Sequence, residues 1–324
     1  MEISSGGEDK SCNGCGCGRI KEYRFRLKDS ELFQCQNCGL VFSNFDKDID
    51  EDYYDKNEFY DKEGRRLKFF FEKLRSLLRY SRINTINSIC KNTGKIIDIG
   101  FVDDHILDKL KSSGWETMGT QLSRNAIAKA RQRGLNVYFG ELKAAGIASE
   151  SIDLITFWHV LEHIKDPGGC LKETNRLLKD NGHLIIEVPN VSSPIAQIFK
   201  AKWVGFFAQS RHLYYFSPRS LNFILEKNGF SVIRKDFFNF EQSVFTLLQS
   251  FLNLLNPKDN LLFRSFIHSE EGKDFTFLLW YNYLLAAIFI LPSLVISLLL
   301  GLLQCGDVMR FSCVKSADVR LGDS

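Results

Sequence analysis

The sequence predicts an α/β protein: a doubly wound, mostly parallel sheet of seven strands, preceded by a small cysteine module and interrupted near its end by a hydrophobic helical hairpin. Three observations predict it. From Lys95 onward, apolar runs alternate with amphipathic stretches that each close near a glycine. Strands that are apolar throughout and separated by helices imply a parallel sheet covered on both faces. Near the N-terminus stand two Cys-x-x-Cys-Gly knuckles, and residues 275–303 hold about 29 residues without a charge, against the roughly 20 that a membrane helix needs.

The chain has 324 residues, enough for one large domain with attachments or for two domains, and a formal charge of +3. That charge is too small to argue for nucleic acid as a partner. The opening MEISSGGEDK has no apolar run, so no secretory signal is expected and the nine cysteines are expected as thiols, some of them on a metal. The sequence divides into a metal-binding module (1–44), an acidic linker and packing helix (45–94), an α/β core (95–239), an amphipathic and hydrophobic insertion (240–307), and a final strand and tail (308–324).

The knuckles are Cys12-Asn-Gly-Cys15-Gly and Cys35-Gln-Asn-Cys38-Gly, with short alternating stretches (EYRFRL, ELFQC) between them. Two intervening residues let both thiolates reach one tetrahedral ion, and the following glycine frees the backbone for the turn around sulfur. Cys12, Cys15, Cys35 and Cys38 are therefore the expected ligands of one structural zinc in a zinc ribbon, with Cys17 a competitor for Cys15. Four protein ligands leave no open position for chemistry. Residues 45–63 are acidic and tyrosine-rich, a linker or a lid, and apolar residues at helical spacing over 65–90 predict a helix that packs on the core.

In the core, KIIDIG, ETMGTQL, NVYFG, IDLITFWHV and HLIIEVPN read as strands, and HILDKLKSSG, SRNAIAKARQRG and DPGGCLKETNRLLKDNG as the helices between them. GFSVIRKDFFNF and MRFSCVK supply a sixth and a seventh strand. Ligands of such sheets bind at the carboxyl ends of the strands, so the residues just after each strand carry the function.

Those segments, in that order, resemble the class I S-adenosylmethionine-dependent methyltransferases, and most closely the branch in which a CxxC…CxxC ribbon precedes the catalytic domain. QCQNCGLVFSN in the ribbon, HVLEHIKDP after the fourth strand, EVPN after the fifth and RHLYYFSPRSLNFILEKNGFSVI near the sixth carry the resemblance. It implies a Rossmann-like fold whose last strand is antiparallel and slots between the fifth and sixth. It also implies S-adenosylmethionine as cofactor, held by Asp98 and Gly100 after the first strand, by Gln121 where the family has an acidic residue for the ribose, and by Glu141 near the adenine. Trp158 and His159 would fall beside the reactive methyl. Val102 and Asp104 depart from the family's glycine-rich turn, and Gln121 gives up a charge-assisted bond to the ribose.

Methyl transfer needs in-line placement and sometimes a base, for which His159 and His212 are the candidates. Glu162 and His163 serve structure or site. Trp203, Tyr214 and Tyr215 are either walls of an acceptor pocket or core. The insertion must leave the sheet and return to it on one side of any membrane. The sequence therefore predicts two arms of about 12 to 16 residues broken at Leu291-Pro292-Ser293, a re-entrant or interfacial hairpin on the inner face of the membrane. A buried helical pair or dimer interface is the alternative. The resulting expectation is a methyltransferase acting on a small or lipid-linked acceptor, a glycan or glycolipid first and a quinone-type lipid second. The rival is a membrane-attached scaffold that has lost the cofactor.

Overall fold

The computed structural model describes residues 11–24, 26–27, 30–43, 80–101, 104–206, 212–256, 259–267 and 273–316. The acidic segment at 45–63 and most of the helix expected over 65–90 lie outside these; the end of that helix is seen over 80–89.

A ribbon of three strands comes first, β1 (Ile20–Glu22), β2 (Leu32–Cys35) and β3 (Val41–Ser43). The main sheet follows as β4 (Lys95–Ile99), β5 (Glu116–Gln121), β6 (Asn136–Phe139), β7 (Ile152–Trp158), β8 (Leu178–Pro189), β10 (Phe230–Asp236) and β11 (Val308–Lys315). The two-residue β9 (Tyr214–Tyr215) belongs to the ribbon sheet. The main sheet has the order β10-β11-β8-β7-β4-β5-β6, with β4 to β8 parallel. β11 runs antiparallel to both neighbours, in the slot expected between β8 and β10.

The crossovers are helices with conventional starts. α1 (Asp104–Ser112) follows β4, and α2 (Arg124–Gln132) follows β5 with Ser123 accepting from the Ala126 N–H. α3 (Pro167–Leu177) is capped by Asp166 with Pro167 in its first turn, where a missing N–H costs nothing. One boundary differs from expectation. LKDNG was read as the end of α3, but the helix stops at Leu177 and these residues open β8, where Leu178 pairs with Ile152. Asn181, at φ +60°, makes the kink in that strand, and the register shifts there.

Alternation along the strands divides the core. Ile97, Ile99, Ile155 and Phe157 pack on the face that also holds Leu171 of α3 and Leu221 and Ile224 of α5 (Pro218–Lys227). Ile96, Leu154, Trp158 and Ile185 face Ile86, Ile106 and Leu110. The ribbon is built into this body rather than tethered to it. β3 pairs with β9, and Cys12, Cys35, Cys38 and Leu40 share the apolar cluster of α5. Gly14 lets the knuckle approach closely, since a Cβ there would lie 2.6 Å from Ile224 Cδ1 and push that methyl aside.

The insertion corrects the expected hairpin. A short α4 (Pro194–Phe199) follows β8; between β10 and β11 lie α6 (Phe240–Leu255), α7 (Leu261–Ile267) and α8 (Lys273–Leu302), and α8 runs unbroken through Pro292. The return is made by α8 lying antiparallel along α6: Asn256 bonds Asn282 and the Ser243 carbonyl accepts from Ser297. Pro292 removes one N–H on the exposed side of α8, and a helix supported along its other side tolerates that loss. The polarity of α8 is inverted. Its buried residues include Asn282, Ser293 and Ser297, while Trp280, Leu284, Leu291, Val295, Leu299 and Leu302 are exposed.

Candidate active site

The carboxyl edge of the sheet gathers the residues singled out above. Asp98 is buried and accepts from Thr156 Oγ1 at 2.6 Å. Gly100 follows at φ +63°, and a Cβ there would stand 2.8 Å from a Val160 methyl, so only glycine lets the turn pass. Val102 and Asp103, and the side chain of Asp104, lie outside the described residues. Phe101, between them and Gly100, turns into the core against Gly119.

Gln121 is buried, with Nε2 donating to the Phe101 carbonyl and Oε1 accepting from the Leu122 N–H, both at 2.7 Å. Its amide thus braces the turn after β4, Oε1 accepting also from the Ser123 N–H at 3.4 Å, and keeps one hydrogen for another partner. Glu141, after β6, is exposed and leads a single 3₁₀ turn without capping it. Trp158 is buried, its ring between the guanidinium groups of Arg82 and Arg310, each 5.1 Å from the centroid, with Nε1 lacking a hydrogen-bond partner. Asp98, Gly100 and Glu141 fit residues that hold a nucleoside–amino-acid cofactor across the first and third strand ends. Gln121, as placed, serves the turn.

His159 sits just past β7 at φ +57°, a strained position for a side chain with a Cβ, fixed by its N–H donating to the Glu187 carbonyl. Its Nδ1 is 3.4 Å from Glu162 Oε1 and its Nε2 is 3.3 Å from Glu187 Oε1. Burial alone would lower its pKa, but the two carboxylates more than offset that and lift it to about 9. The expected base is therefore a fixed imidazolium at neutral pH. Glu187 continues the chain: despite its burial, Arg310 and His159 hold it ionised well below the usual carboxylate range. Arg310 Nε donates to Glu187 Oε2 at 2.8 Å, Asn239 Nδ2 donates to Oε1 at 2.9 Å, and Arg310 also reaches Thr85.

Sequence reasoning missed Glu187 and Arg310 as a pair, although the signal was present. Each is a charge inside an apolar strand (IIEVP, VMRFS), and such a charge needs a partner. The strand register places them directly opposite. Asp307 was also missed. It is fully buried beside the hydroxyls of Ser243 and Thr246 with neither oxygen hydrogen-bonded, and burial pushes it up to about 7.

His212 lies across from HVLEH, its ring 4.7 Å from that of His163. Burial and the neighbouring His163 push it down to about 3, so it is neutral, and Nδ1 is bonded to the Gly205 carbonyl at 2.9 Å. Trp203, Phe206 and Tyr215 form an edge-to-face cluster that is fully buried, which makes Trp203 and Tyr215 core residues behind the histidine. Tyr214 instead ties the ribbon to the site: its hydroxyl accepts from Asn13 and donates to the Lys165 carbonyl.

In the ribbon the sulfurs of Cys12, Cys15, Cys35 and Cys38 all lie within 4.8 Å of one another, with Cys12 3.7 Å from Cys38 and Cys15 3.5 Å from Cys35. A hydrogen bond from Cys38 draws the Cys12 thiol down to about 5 against the effect of burial. Four sulfurs converging on one point, from two knuckles that share no disulfide, fit a tetrahedral thiolate site for zinc. Cys17 lies outside the set.

The strand order, with its reversed last strand and its site at the carboxyl edge, defines the Rossmann-like methyltransferase class. A profile described as a methyltransferase domain matches residues 65–235, just over half of the chain, and the chain belongs to that family. Among curated relatives, the ubiquinone biosynthesis O-methyltransferase of Ralstonia nicotianae is 26% identical over 133 residues, covering 38% of this chain and 56% of its own length. Its namesake from Pseudomonas aeruginosa is 26% identical over 126 residues, covering 36% and 54%. The chain thus spans about half the length of the curated relatives it matches. Among solved structures, a SAM-dependent methyltransferase from Archaeoglobus fulgidus is 18% identical with a TM-score of 0.48, covering 76% of this chain and 99% of that one.

Proposed function

We propose that the protein transfers a methyl group from S-adenosylmethionine to a hydroxyl of a ring-shaped, lipid-linked acceptor at a membrane surface. One observation carries the membrane part of this reading. α8 exposes an apolar face, and it ends five residues before Asp307, at the carboxyl edge of the sheet where the acceptor must bind. There the Asn190 N–H donates to the Asp307 carbonyl, and Asn190 Nδ2 donates to that of Gly306. A lipid-anchored ring could thus reach the site without leaving the surface. The zinc ribbon holds β9, and with it His212, against that edge.

When bound, S-adenosylmethionine supplies an electrophilic methyl on a sulfonium. The chain's own residues place the reaction. Asp98 and Gly100 shape the methionine end, and Glu141 stands toward the adenine. The imidazolium of His159, set between two carboxylates, would favour the ionised form of an acceptor oxygen placed beside it, whose charge is spent as the methyl is taken. His212 keeps a neutral ring toward the acceptor. A quinone-type ring is favoured by the names of the relatives; a glycan or glycolipid is the second reading, favoured by the resemblance of the ribbon-bearing branch. The test is methyl transfer from labelled S-adenosylmethionine to a prenylated catechol, to the same catechol without its tail, and to a glycolipid, each with vesicles. Labelling of the tailed catechol well above the untailed one is expected. Labelling of the glycolipid alone would select the second reading, and labelling of none would overturn both.

A further inference from the structure

We propose that Glu162, His163 and His212 form a second metal site, for a divalent first-row transition ion, at the acceptor side of the sheet edge. One ligand atom from each of the three lies within 4.8 Å of the others, close enough to share an ion. Glu162 is 1% exposed, neither of its oxygens is in a formed hydrogen bond, and His159 Nδ1 stands 3.4 Å from Oε1. His159 faces one of these oxygens, and the lone pairs left without a formed hydrogen bond are costly to bury and suit a further cation.

The surroundings select the ligand atoms. The Gly205 carbonyl accepts from His212 Nδ1–H, which fixes that tautomer and leaves the Nε2 lone pair for a metal. A ring nitrogen bonded to a carbonyl in this way is the usual support of a ligating histidine. The backbone carbonyl of Glu162 accepts from the Leu213 N–H, so the two ligand-bearing segments are laced together beside the ligands themselves. Two imidazoles and one carboxylate suit zinc, manganese, iron or cobalt better than magnesium or calcium, which prefer oxygen. Three protein ligands leave open positions, unlike the closed four-cysteine site.

The consequence rests on the proposed methyl transfer, though binding does not. A coordinated hydroxyl would ionise on the metal and release its proton to water. The resulting oxygen would then form its bond to the methyl carbon as the carbon–sulfur bond breaks, its electron pair passing to sulfur.

Full-length protein whose ribbon already holds zinc is titrated with cobalt(II) and followed by absorption and calorimetry. One further equivalent is expected, with weak visible bands and no thiolate-to-cobalt charge transfer. His163→Gln and His212→Gln should each weaken it at least tenfold, while His159→Gln and the distant His183→Gln should retain it. Glu162→Gln could disturb folding, so the two histidine variants and the wild-type spectrum decide. Absence of the second equivalent in folded wild-type protein at millimolar cobalt would overturn the site. So would a thiolate band on that equivalent, or its survival in both His163→Gln and His212→Gln. Binding without any methyl transfer would leave the site standing and tell against the enzymatic reading alone.

Discussion

Asp307 shows how a single side chain couples the insertion to the sheet edge. Its ordinary value of 3.8 is lifted to about 7 by burial. The native state therefore keeps a proton that the unfolded chain releases, and stability falls as pH rises from about 4 to about 7, then levels. Three units correspond to at most about 4 kcal/mol, and relaxation around the charge reduces that. Asp307→Asn removes the penalty: its stability advantage over wild type should be larger by about 2 kcal/mol or more at pH 7.5 than at pH 4.5. Denaturant titrations at the two values check this. His159 moves in the same sense over a later window, its contribution being present below about 6.5 and lost as pH rises through 9. At this scale the sequence was read unevenly. Asp98 and Gly100 close the first parallel strand, where the resemblance put them, and the four cysteines converge as their spacing implied, because short spacings fix local geometry. Glu187 and Arg310 each announced the need for a partner, but which partner depends on register between strands more than 100 residues apart in sequence, and Asp307 meets Ser243 and Thr246 only through the packing of α6.

Elements were more legible than their ends. The parallel strands were readable because burial on both faces leaves continuous apolar runs, and α2 and α3 because Ser123 and Asp166 announce them. The end of α3 was misplaced because LKDNG has helical residues followed by a glycine, and only its pairing with β7 makes it strand. The break at Pro292 was misread because a proline's effect depends on what supports the helix around it. α6 supplies that support through buried polar contacts on either side of Pro292: Asn256 and Asn282 exchange amide bonds, and Ser297 donates to the Ser243 carbonyl. Polar groups facing inward and leucines facing outward suit a helix whose surroundings are hydrocarbon. The 25-residue apolar stretch of α8 is about 38 Å long, and its 18-residue apolar window has a mean hydropathy of 2.6. The protein should therefore float with lipid vesicles, and Leu284→Glu with Leu291→Glu and Leu299→Glu should release it while leaving circular dichroism unchanged. A triple variant still bound to vesicles would show that α8 is not the contact.

At the scale of the whole molecule, three parts meet at one edge. The ribbon grips β9 through β3, the insertion returns through Gly306 and Asp307, and the parallel strands end between them. The architecture was legible because each part carries its own periodicity; that the ribbon and the catalytic segment share a sheet was not, because a two-residue strand leaves no pattern. What the edge serves rests on the cofactor. The turn after β4 is shaped by Gly100, and Gln121 is turned into that turn rather than toward a ribose. Calorimetric titration of the folded, zinc-loaded protein with S-adenosylhomocysteine tests this most directly. One saturable site is expected, abolished by Gly100→Val. No heat of binding at millimolar ligand, or binding unaffected by Gly100→Val in a variant that keeps its fold, would contradict the reading of this edge as a methyltransferase site.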